Sequence, residues 1–376
     1  MTKLHGHILT PAGFVEGTLA FDGEGRIRGL MGTPVPEAIV RASDEPMILP
    51  GFIDLHVHGA GGRDVMEGGD AAAQIAKRHA AHGTTALLAT TMTAPMGDLV
   101  NAFEGVRSVC LPPRRGGARI LGVHLEGPYI NPVRLGAQPD FTRPVSVGEL
   151  AQLHALAPIR LVTLAPEVPG NMEAIGELVA AGYRVQIGHT GGSYEQGVQA
   201  LERGAAGFTH LFNAMTGLHH REPGMVGAAL ANAQYAEIIP DLLHVHPGAV
   251  RVALRSIPCL YCVTDSTSAT GMPDGDYMLG RNKVTKCLGG VRLADGTLAG
   301  STLTMDQALR NLVDALGLSL QEASRRVSTH AADYLGLADR GRLEPRAWGD
   351  VVVVDRELQL TAVYVEGERI ELQPAG

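Results

Sequence analysis

The chain has 376 residues, of which 45% are hydrophobic, and its formal net charge is −8. This length and apolar content predict either two domains or one barrel with an appendage, with a core that needs no disulfides. Its four lysines form no basic stripe, which argues against a nucleic-acid or anionic-membrane partner.

The start of the chain, MTKLHGHILTPAGF, has no apolar signal-peptide core, and no run of about 18 apolar residues follows it. We therefore expect a soluble cytoplasmic protein without membrane contact. The four cysteines are too few for a disulfide framework. Cys259 and Cys262 match C-x-x-C, but they lie in an apolar strand-like run, where side chains three residues apart face opposite ways. We expect plain buried thiols there.

Both ends of the chain consist of short strand-like runs bounded by Gly or Asp. The first 50 residues contain HGHIL, VEGTLAFD and RIRGLMG, and the last part of the chain contains GDVVVVD, TAVYVEG and ERIEL. This pattern predicts that residues 1–50 and 344–376 together form one small β-sandwich domain.

Between the two ends, apolar runs alternate with Ala-rich helical stretches such as AAAQIAKRHAAHG and NMEAIGELVAAG. The alternation predicts βα units and a parallel sheet. Eight such units are typical of an α/β protein with a (β/α)8 TIM-like barrel, here over residues 51–343, whose active site lies at the carboxyl ends of the strands. The predicted strands are 51–58, 84–90, 119–126, 160–166, 183–189, 207–212, 236–244 and 260–265.

The first predicted barrel strand carries a His-x-His pair. His56 and His58 are two residues apart, so both side chains point into the barrel mouth, where their imidazole nitrogens can share one divalent ion. His5 and His7 have the same spacing in the terminal β region. No acidic residue ends a neighbouring strand there, and we interpret that pair as structural.

Other polar residues end the later barrel strands. Because an isolated buried carboxylate is costly to ionise, two carboxylates among four strand-end histidines favour a metal site. In addition to His56 and His58, the set comprises Glu126, His189, His210 and Asp265. His124 lies two residues before Glu126 and has two interpretations, a residue that orients Glu126 or a packed core histidine.

Several motifs are similar to those of a known family. LPGFIDLHVHG resembles the opening signature of the amidohydrolase superfamily. HLEGPYINP, TLAPE, IGHTGG, THLFNAM, HREPGMVGA, VTDS and GSTLTM, in that order, resemble the N-acetylglucosamine-6-phosphate deacetylase family. The resemblance covers nearly the whole chain. It implies hydrolysis of the acetamide of N-acetylglucosamine 6-phosphate to glucosamine 6-phosphate and acetate.

The resemblance also implies the metal ligands. One ion would be held by Glu126, His189 and His210, and a second by His56 and His58, again with Glu126. Other amidohydrolases bridge two ions with a carbamylated lysine, but this chain has no lysine between positions 77 and 283. The ligands suit Zn, with Fe, Mn and Co as alternatives, and the sequence leaves open whether one ion or two are bound.

In the implied mechanism, a metal-bound hydroxide attacks the acetamide carbonyl, and Asp265 acts as the general acid/base. The resemblance further implies a set of substrate-binding residues: Gln138, Asn213, Ala214, Arg221, His244 and Met305. In the family the arginine can come from a neighbouring subunit, which implies a homodimer. Gln138 stands where many members carry a His, and Leu242 where a Gly often occurs.

Three alternatives stay open. The substrate could be the epimer N-acetylgalactosamine 6-phosphate, which differs in the direction of one hydroxyl. The protein could be another metal-dependent amidohydrolase, acting on an N-acyl amino acid or a cyclic amide, although the phosphate-site residues argue against it. It could also be a non-catalytic amidohydrolase-like scaffold, but none of the expected ligands is missing.

Overall fold

The computed structural model describes residues 2–111 and 115–372. The strands are β1 Thr2–Thr10, β2 Gly13–Phe21, β3 Ile27–Pro34, β4 Met47–Pro50, β5 Phe52–Val57, β6 Gly59–Ala60, β7 Arg63–Asp64, β8 Thr84–Thr91, β9 Arg119–Glu126, β10 Ile159–Leu164, β11 Arg184–Ile187, β12 Gly207–Phe208, β13 Tyr235–Ile238, β14 Cys259–Cys262, β15 Gly275–Leu279, β16 Asn282–Cys287, β17 Gly290–Arg292, β18 Val351–Val354, β19 Leu360–Val365 and β20 Glu368–Ile370.

The helices are α1 Glu37–Ala42, α2 Ala71–Ala80, α3 Met96–Cys110, α4 Val147–Leu156, α5 Asn171–Ala180, α6 Tyr194–Glu202, α7 Gly224–Asn232, α8 Pro247–Ser256, α9 Met305–Arg310, α10 Leu320–Ser324 and α11 His330–Tyr334. A 3₁₀ turn spans Val65–Glu67, and π-helical turns span Asn311–Ala315 and Arg325–Thr329. No helix in the described ranges combines the length and the apolar character that crossing a bilayer requires.

Six parallel strands form the central sheet, in the order β12-β11-β10-β9-β8-β5, and β13 pairs with β14 in a separate parallel ladder. On one side the amide of Leu211 donates to the Glu237 carbonyl. On the other side the amides of Asp265 and His58 donate to the carbonyls of His56 and Ser266, so backbone hydrogen bonds link the two sheets on both sides. The predicted mixed α/β fold is confirmed, with its parallel sheet forming a half-barrel. Closure into a complete eight-stranded barrel stays a prediction.

Each of the eight predicted barrel strands overlaps an observed strand. The match is complete for β9, whereas β12 is only two residues long. β5, at one edge of this sheet, and its neighbour β8 are buried along their whole length, because helices cover one face and the interior of the half-barrel fills the other. α5 ends just before Gly182, because the φ of +90° at this glycine is incompatible with a right-handed helix.

Strands from both ends of the chain lie in one seven-stranded sheet, in the order β20-β19-β18-β4-β1-β2-β3. β4 joins the two halves, since it pairs in parallel with β1 and antiparallel with β18. The end of β4 leads directly into β5, so this sheet is continuous in sequence with the first strand of the central sheet. Its division into a β-sandwich domain over residues 1–50 and 344–376 stays a prediction.

A three-stranded antiparallel sheet, β15–β17, follows the last strand of the half-barrel. The sequence analysis assigned no element to residues 275–292. The Arg281 guanidinium, beyond the end of β15, donates to Asp98 at the start of α3 at 2.7 Å. The C-x-x-C cysteines are the two ends of β14, as the strand prediction required. Both are free thiols, with Cys262 buried and Cys259 half-buried.

Candidate metal centre

Six polar side chains meet at the carboxyl ends of the parallel strands. They come from separate parts of the sequence and converge because the strands that carry them all end at the same edge. All six are buried: His56, His58, Glu126, His189, His210 and Asp265. The structure therefore brings together every residue that the sequence predicted as a metal ligand or acid/base.

Glu126 lies between two pairs of histidines. Its Oε1 is 3.1 Å from the Nε2 atoms of both His189 and His210. Its Oε2 is 3.2 Å from Nε2 of His58 and 3.4 Å from Nε2 of His56. Each oxygen of one carboxylate thus faces a different histidine pair, which is the arrangement that bridging two ions requires.

Asp265 belongs to the His56 and His58 side of the cluster. Its Oδ1 is 3.3 Å from Nε2 of His58 and 3.5 Å from Nε2 of His56. Among the described residues, three groups of three side chains place their ligand atoms close enough to share an ion. Two of them make up this cluster: His56, His58 and Asp265 in one, and Glu126, His189 and His210 in the other. The third, His56, His124 and Glu237, lies behind His56.

The second ring nitrogen of three of these histidines faces an oxygen that can only accept a hydrogen bond. The contacts are His56 Nδ1 to Glu237 Oε2 (3.0 Å), His58 Nδ1 to the Thr90 carbonyl (3.2 Å) and His189 Nδ1 to the Arg134 carbonyl (2.8 Å). In the neutral ring Nδ1 therefore carries the proton, and Nε2 has its lone pair towards the centre of the cluster. Metal ligation requires this tautomer, so the residues present fit a divalent ion.

Three residues of the cluster have a left-handed backbone. φ is +48° at His189, +28° at His210 and +50° at Asp265. Non-glycine residues avoid this region because Cβ crowds the backbone, at a cost on the order of 1–3 kcal/mol each, and such residues concentrate at functional sites. The turns after β11, β12 and β14 use this conformation to aim their side chains into the mouth.

The carboxylates make the cluster favourable for positive charge. Burial alone would lower the pKa of His56, but Glu126 and the two other carboxylates around it outweigh burial and raise this pKa well above its usual range. Burial would also lower the pKa of His58, but hydrogen bonds to Asp265 and Glu126 outweigh it and raise this pKa to about 9. Burial opposes ionisation of Glu126, yet the histidines hold its pKa well below its usual range. A divalent cation would supply the positive charge that these carboxylates favour.

Glu237 is a buried acid that the sequence analysis missed. It lies on β13, in a run interpreted only as a strand, and a single charge in the apolar text AEIIP was the available signal. Its Oε2 contacts His56 Nδ1 and accepts from the His210 amide at 3.1 Å. Its Oε1 accepts from Gln186 Nε2 at 3.0 Å and from the Tyr261 hydroxyl at 3.4 Å.

His124 is a packed core histidine. Its Nε2 is 2.7 Å from Thr163 Oγ1, and its Nδ1 is 3.1 Å from the Leu55 carbonyl. Burial lowers its pKa to about 3, which keeps the ring neutral. With both nitrogens engaged elsewhere, His124 does not orient Glu126.

Gln138 is the residue that holds Glu126. Its Nε2 donates to Glu126 Oε2 at 2.7 Å, and its Oε1 accepts from the Thr93 amide at 2.6 Å. Both ends of the side-chain amide are therefore occupied by the protein. Its predicted contact with the substrate stays a prediction.

A cavity of about 360 Å³ opens from the cluster towards the surface. Four of the predicted substrate residues line it: Gln138, Asn213, Ala214 and His244. Arg221 does not line it, since this side chain is exposed, with Nη1 2.6 Å from His220 Nε2. Met305 is fully buried at the start of α9 and also lies outside the cavity lining.

His244 lines this cavity, and Leu242 precedes it by two residues in the chain. Nδ1 of His244 is 2.6 Å from Asp241 Oδ2, and although burial acts in the other direction, Asp241 raises the pKa of His244. Leu242 has a φ of +66°, a conformation that glycine adopts without cost. The preference for glycine at this position therefore has a backbone cause, and here leucine takes the strained conformation.

Arg134 is a second residue that the sequence analysis missed. It lines the cavity and is half-buried, and its guanidinium has no ion pair or hydrogen bond within the described residues. Its Nε lies beside Gly191, 3.7 Å from the position that a Cβ atom would occupy on that residue. The amide of the preceding Thr190 donates to the Ala214 carbonyl at 3.0 Å. Arg134 therefore lies on the same side of the mouth as Ala214.

Known proteins resemble this chain along most of its length. The model of the amidohydrolase family matches residues 47–370. An N-acetylgalactosamine-6-phosphate deacetylase of Escherichia coli O157:H7 is 39% identical over 350 residues, covering 89% of this chain and 90% of that protein. An N-acetylglucosamine-6-phosphate deacetylase of Lysinibacillus sphaericus is 39% identical over 336 residues, covering 87% and 86%.

Solved structures of similar enzymes have the same fold. N-acetylglucosamine-6-phosphate deacetylase from Thermotoga maritima aligns with a TM-score of 0.89 and 31% identity, covering 98% of this chain and 99% of that one. A mutant of the Mycobacterium smegmatis enzyme, in complex with N-acetyl-D-glucosamine-6-phosphate, aligns with a TM-score of 0.88 and 33% identity, covering 98% of both chains. The chain belongs to the amidohydrolase family.

Proposed function

We propose that this protein is a metal-dependent deacetylase that converts N-acetylglucosamine 6-phosphate to glucosamine 6-phosphate and acetate. The observation that carries the proposal is the position of Glu126, buried between two histidine pairs at the inner end of a cavity. The relatives that share at least 35% identity over most of the chain are named for this reaction or for its epimer.

The proposed ligands are the four histidines and Glu126 between them. His189 and His210 would hold one ion together with Glu126, and His56 and His58 would hold a second ion with the same carboxylate. Imidazole and carboxylate ligands at this density suit Zn²⁺, which we propose as the resident metal, while Fe, Mn and Co use the same ligand types.

Asp265 is the proposed acid/base. A bound divalent ion supplies Lewis acidity, which polarises a carbonyl oxygen and lowers the pKa of water. The Asp265 carboxylate lines the cavity, and among the described side chains its polar contacts are with the cluster histidines. It takes a proton from the attacking water and delivers one to the amide nitrogen, because an amine leaves poorly unless it is protonated. Gln138 meanwhile holds the Glu126 carboxylate in place.

The substrate phosphate is assigned to the rim of the cavity near Asn213 and Ala214. Arg134 offers a guanidinium there without a carboxylate partner, and the guanidinium fork matches phosphate geometry. His244, paired with Asp241, adds a second cationic group. Arg221 is exposed and outside the cavity of its own chain, which supports a homodimer in which it reaches the cavity of the partner subunit.

A panel of three substrates tests this proposal with metal-loaded enzyme. We expect the highest kcat/KM for N-acetylglucosamine 6-phosphate and a value lower by orders of magnitude for unphosphorylated N-acetylglucosamine. Acetate and free amine are measured together, so that hydrolysis of another bond is recognised. Equal kcat/KM with and without the phosphate would contradict phosphate recognition, and no acetate from any amino sugar would contradict the deacetylase.

N-acetylgalactosamine 6-phosphate is the second candidate substrate. The specific observation in its favour is the Escherichia coli relative named for that sugar, which matches as well as the N-acetylglucosamine-6-phosphate deacetylases. Including this epimer in the panel decides between them, because the two sugars differ only at one hydroxyl. A higher kcat/KM for the galacto epimer would reverse our assignment.

The two arginines are tested by substitution and by subunit mixing. Arg134→Ala and Arg221→Ala should each raise KM for the phosphorylated sugar more than for the unphosphorylated one, whereas Arg255→Ala, exposed on α8, should change neither. Mixing Arg221→Ala subunits with Asp265→Asn subunits should restore part of the activity, since one cavity of the mixed dimer then has both groups. No restoration would contradict an arginine supplied by the partner.

We also propose that residues 1–50 and 344–376 form a separate β-sandwich domain beside a closed (β/α)8 barrel of residues 51–343. The seven-stranded sheet has its own buried apolar cluster around Ile8, Phe21 and Val351, which supports this division. A chain that joins the two segments through a short linker should unfold cooperatively on heating, and an unfolded product would contradict the division.

We further propose a cytoplasmic location. The charged phosphate of the substrate prevents passive crossing of a lipid bilayer, so the enzyme and its substrate belong in the same compartment. Fractionation of the source cells with an antibody against the protein tests this location.

A further inference from the structure

We propose that Glu237 is a positioning residue that makes His56 competent to bind a metal ion. The inference rests on the proposed metal-dependent function. Glu237 is fully buried and does not line the cavity, so it has no direct access to substrate.

The Glu237 carboxylate is surrounded by hydrogen-bond donors. Oε2 contacts His56 Nδ1 and the His210 amide, and Oε1 accepts from Gln186 and Tyr261. An ionised carboxylate in a protein interior is stable only with such donors around it. The Tyr261 hydroxyl is the weakest of these donors, since it is 3.4 Å from Oε1 and also donates to Gln186 Oε1 at 2.7 Å. The other three lie within 3.1 Å and allow Glu237 to remain ionised beneath the cluster.

The contact with Glu237 fixes the tautomer of His56. Because a carboxylate only accepts, the proton of the neutral ring stays on Nδ1 and the lone pair of Nε2 faces the cluster. The ring itself is fully buried and packs edge-on against His124, with 4.6 Å between ring centroids. Without Glu237, the proton can move to Nε2, which is 3.2 Å from Nε2 of His58 and on the side where the ion would bind.

His56 depends on a side chain in a way that the other ligands do not. His58 and His189 place Nδ1 against backbone carbonyls, which no substitution removes. A change at Glu237 therefore acts first on the ion held by His56 and His58. It acts less on the ion of Glu126, His189 and His210, where only the amide of His210 contacts Glu237.

Metal titration of Glu237→Gln tests the inference. The amide of glutamine presents one acceptor and one donor, so it cannot accept from both His56 and Gln186 as the carboxylate does. Zinc content is measured by equilibrium dialysis over a range of buffered free Zn²⁺. We expect two ions per wild-type chain, and in the variant an affinity for one ion that is about 10–100-fold weaker while the other ion is retained.

Thr163→Val is the matched control. It removes another buried polar group of the barrel interior, whose hydroxyl contacts His124 and Thr209 and, among the described residues, neither Glu237 nor His56. We expect it to keep both ions at wild-type affinity. Wild-type affinity for both ions in Glu237→Gln overturns the inference, and so does an equal loss in Thr163→Val, which would show a merely structural role.

The wild-type protein offers a second measurement, which also holds if Glu237→Gln does not fold. With ¹⁵N-labelled histidine, the nitrogen shifts of metal-free protein at alkaline pH show which ring nitrogen of His56 carries the proton. Protonation at Nδ1 supports the inference, and protonation at Nε2 overturns it. Acetate release by the wild-type enzyme is a separate result. Its absence would contradict the proposed deacetylase function, whereas an active enzyme with one ion per chain would contradict only the proposed role of Glu237.

Discussion

Two of the three His-x-His pairs in the chain lie on β1 and at the end of β5, and the structure gives these two different surroundings. His56 and His58 lie at the carboxyl end of β5, where the Nε2 atoms of both are within 3.5 Å of carboxylate oxygens from Glu126 and Asp265. Both histidines are buried, and His58 lines the inner end of the cavity.

His5 and His7 lie on β1 in the sheet formed from both ends of the chain. His5 is exposed, with Nδ1 2.8 Å from Thr18 Oγ1, and His7 is buried with neither ring nitrogen bonded within the described residues. Equal spacing therefore places two imidazoles on one face of a strand in both cases, but only converging carboxylates make such a pair a candidate metal site.

The largest effect on kcat should come from Asp265, the acid next to His56 and His58. Asp265→Asn removes the group that accepts and delivers protons, and we expect kcat to fall by about 10²–10⁴-fold. The ion of Glu126, His189 and His210 should remain, as measured by metal analysis. Asp295→Asn, an exposed aspartate on the turn after β17, is the control. Near-normal turnover of Asp265→Asn would rule out the role.

The double substitution His56→Asn with His58→Asn removes the first pair itself. We expect zinc content to fall from two ions per chain to one, because His189, His210 and Glu126 Oε1 remain. The loss of kcat should be smaller than that of Asp265→Asn, since the acid/base is still present. An unchanged ion count would show that this pair resembles His5 and His7 after all.

Gln138→Leu tests the group that holds the shared carboxylate. Loss of the 2.7 Å hydrogen bond to Glu126 Oε2 should lower kcat or metal affinity by roughly tenfold, at the low end of effects seen for residues that orient ligands. The Thr93 amide also loses its acceptor. Wild-type kcat and zinc affinity in this variant would mean that Glu126 keeps its position without Gln138.

The smallest effect should come from substitutions in the pair His5 and His7. His7→Leu replaces a buried imidazole that has no hydrogen-bond partner among the described residues, and the free energy of unfolding should rise by up to about 1 kcal/mol. Zinc content and kcat should match the wild type, in this variant and in His5→Ala. Denaturant unfolding measures the first quantity. Loss of zinc in either variant would falsify the distinction between the two pairs.

Local patterns were sufficient for much of the fold and for the six residues of the cluster. The apolar run that ends in Glu126 predicted β9 to the residue, and the two-residue period of a strand placed His56 and His58 on one face. Parallel strands end at one edge, so a polar residue at each strand end is enough to predict that they meet.

The three-dimensional contacts around the cluster could not be predicted in this way. Glu237 contacts His56 across 181 residues of sequence, and nothing in the text near either residue indicates that pairing. The role of Arg134 could not be predicted either, because only the folding of the segment between β9 and α4 brings this residue to the cavity. The left-handed backbone at His189, His210 and Asp265 is equally invisible in residue types that usually avoid it.

The sequence by itself determined the order of strands, the residues at their ends and hence the chemistry of the cluster, because all of these depend on local periodicity. Only the tertiary structure decided which nitrogen of each histidine faces the centre and which carboxylate oxygen each pair shares. Those features depend on hydrogen bonds between distant residues, and such bonds exist only once the strands have come together.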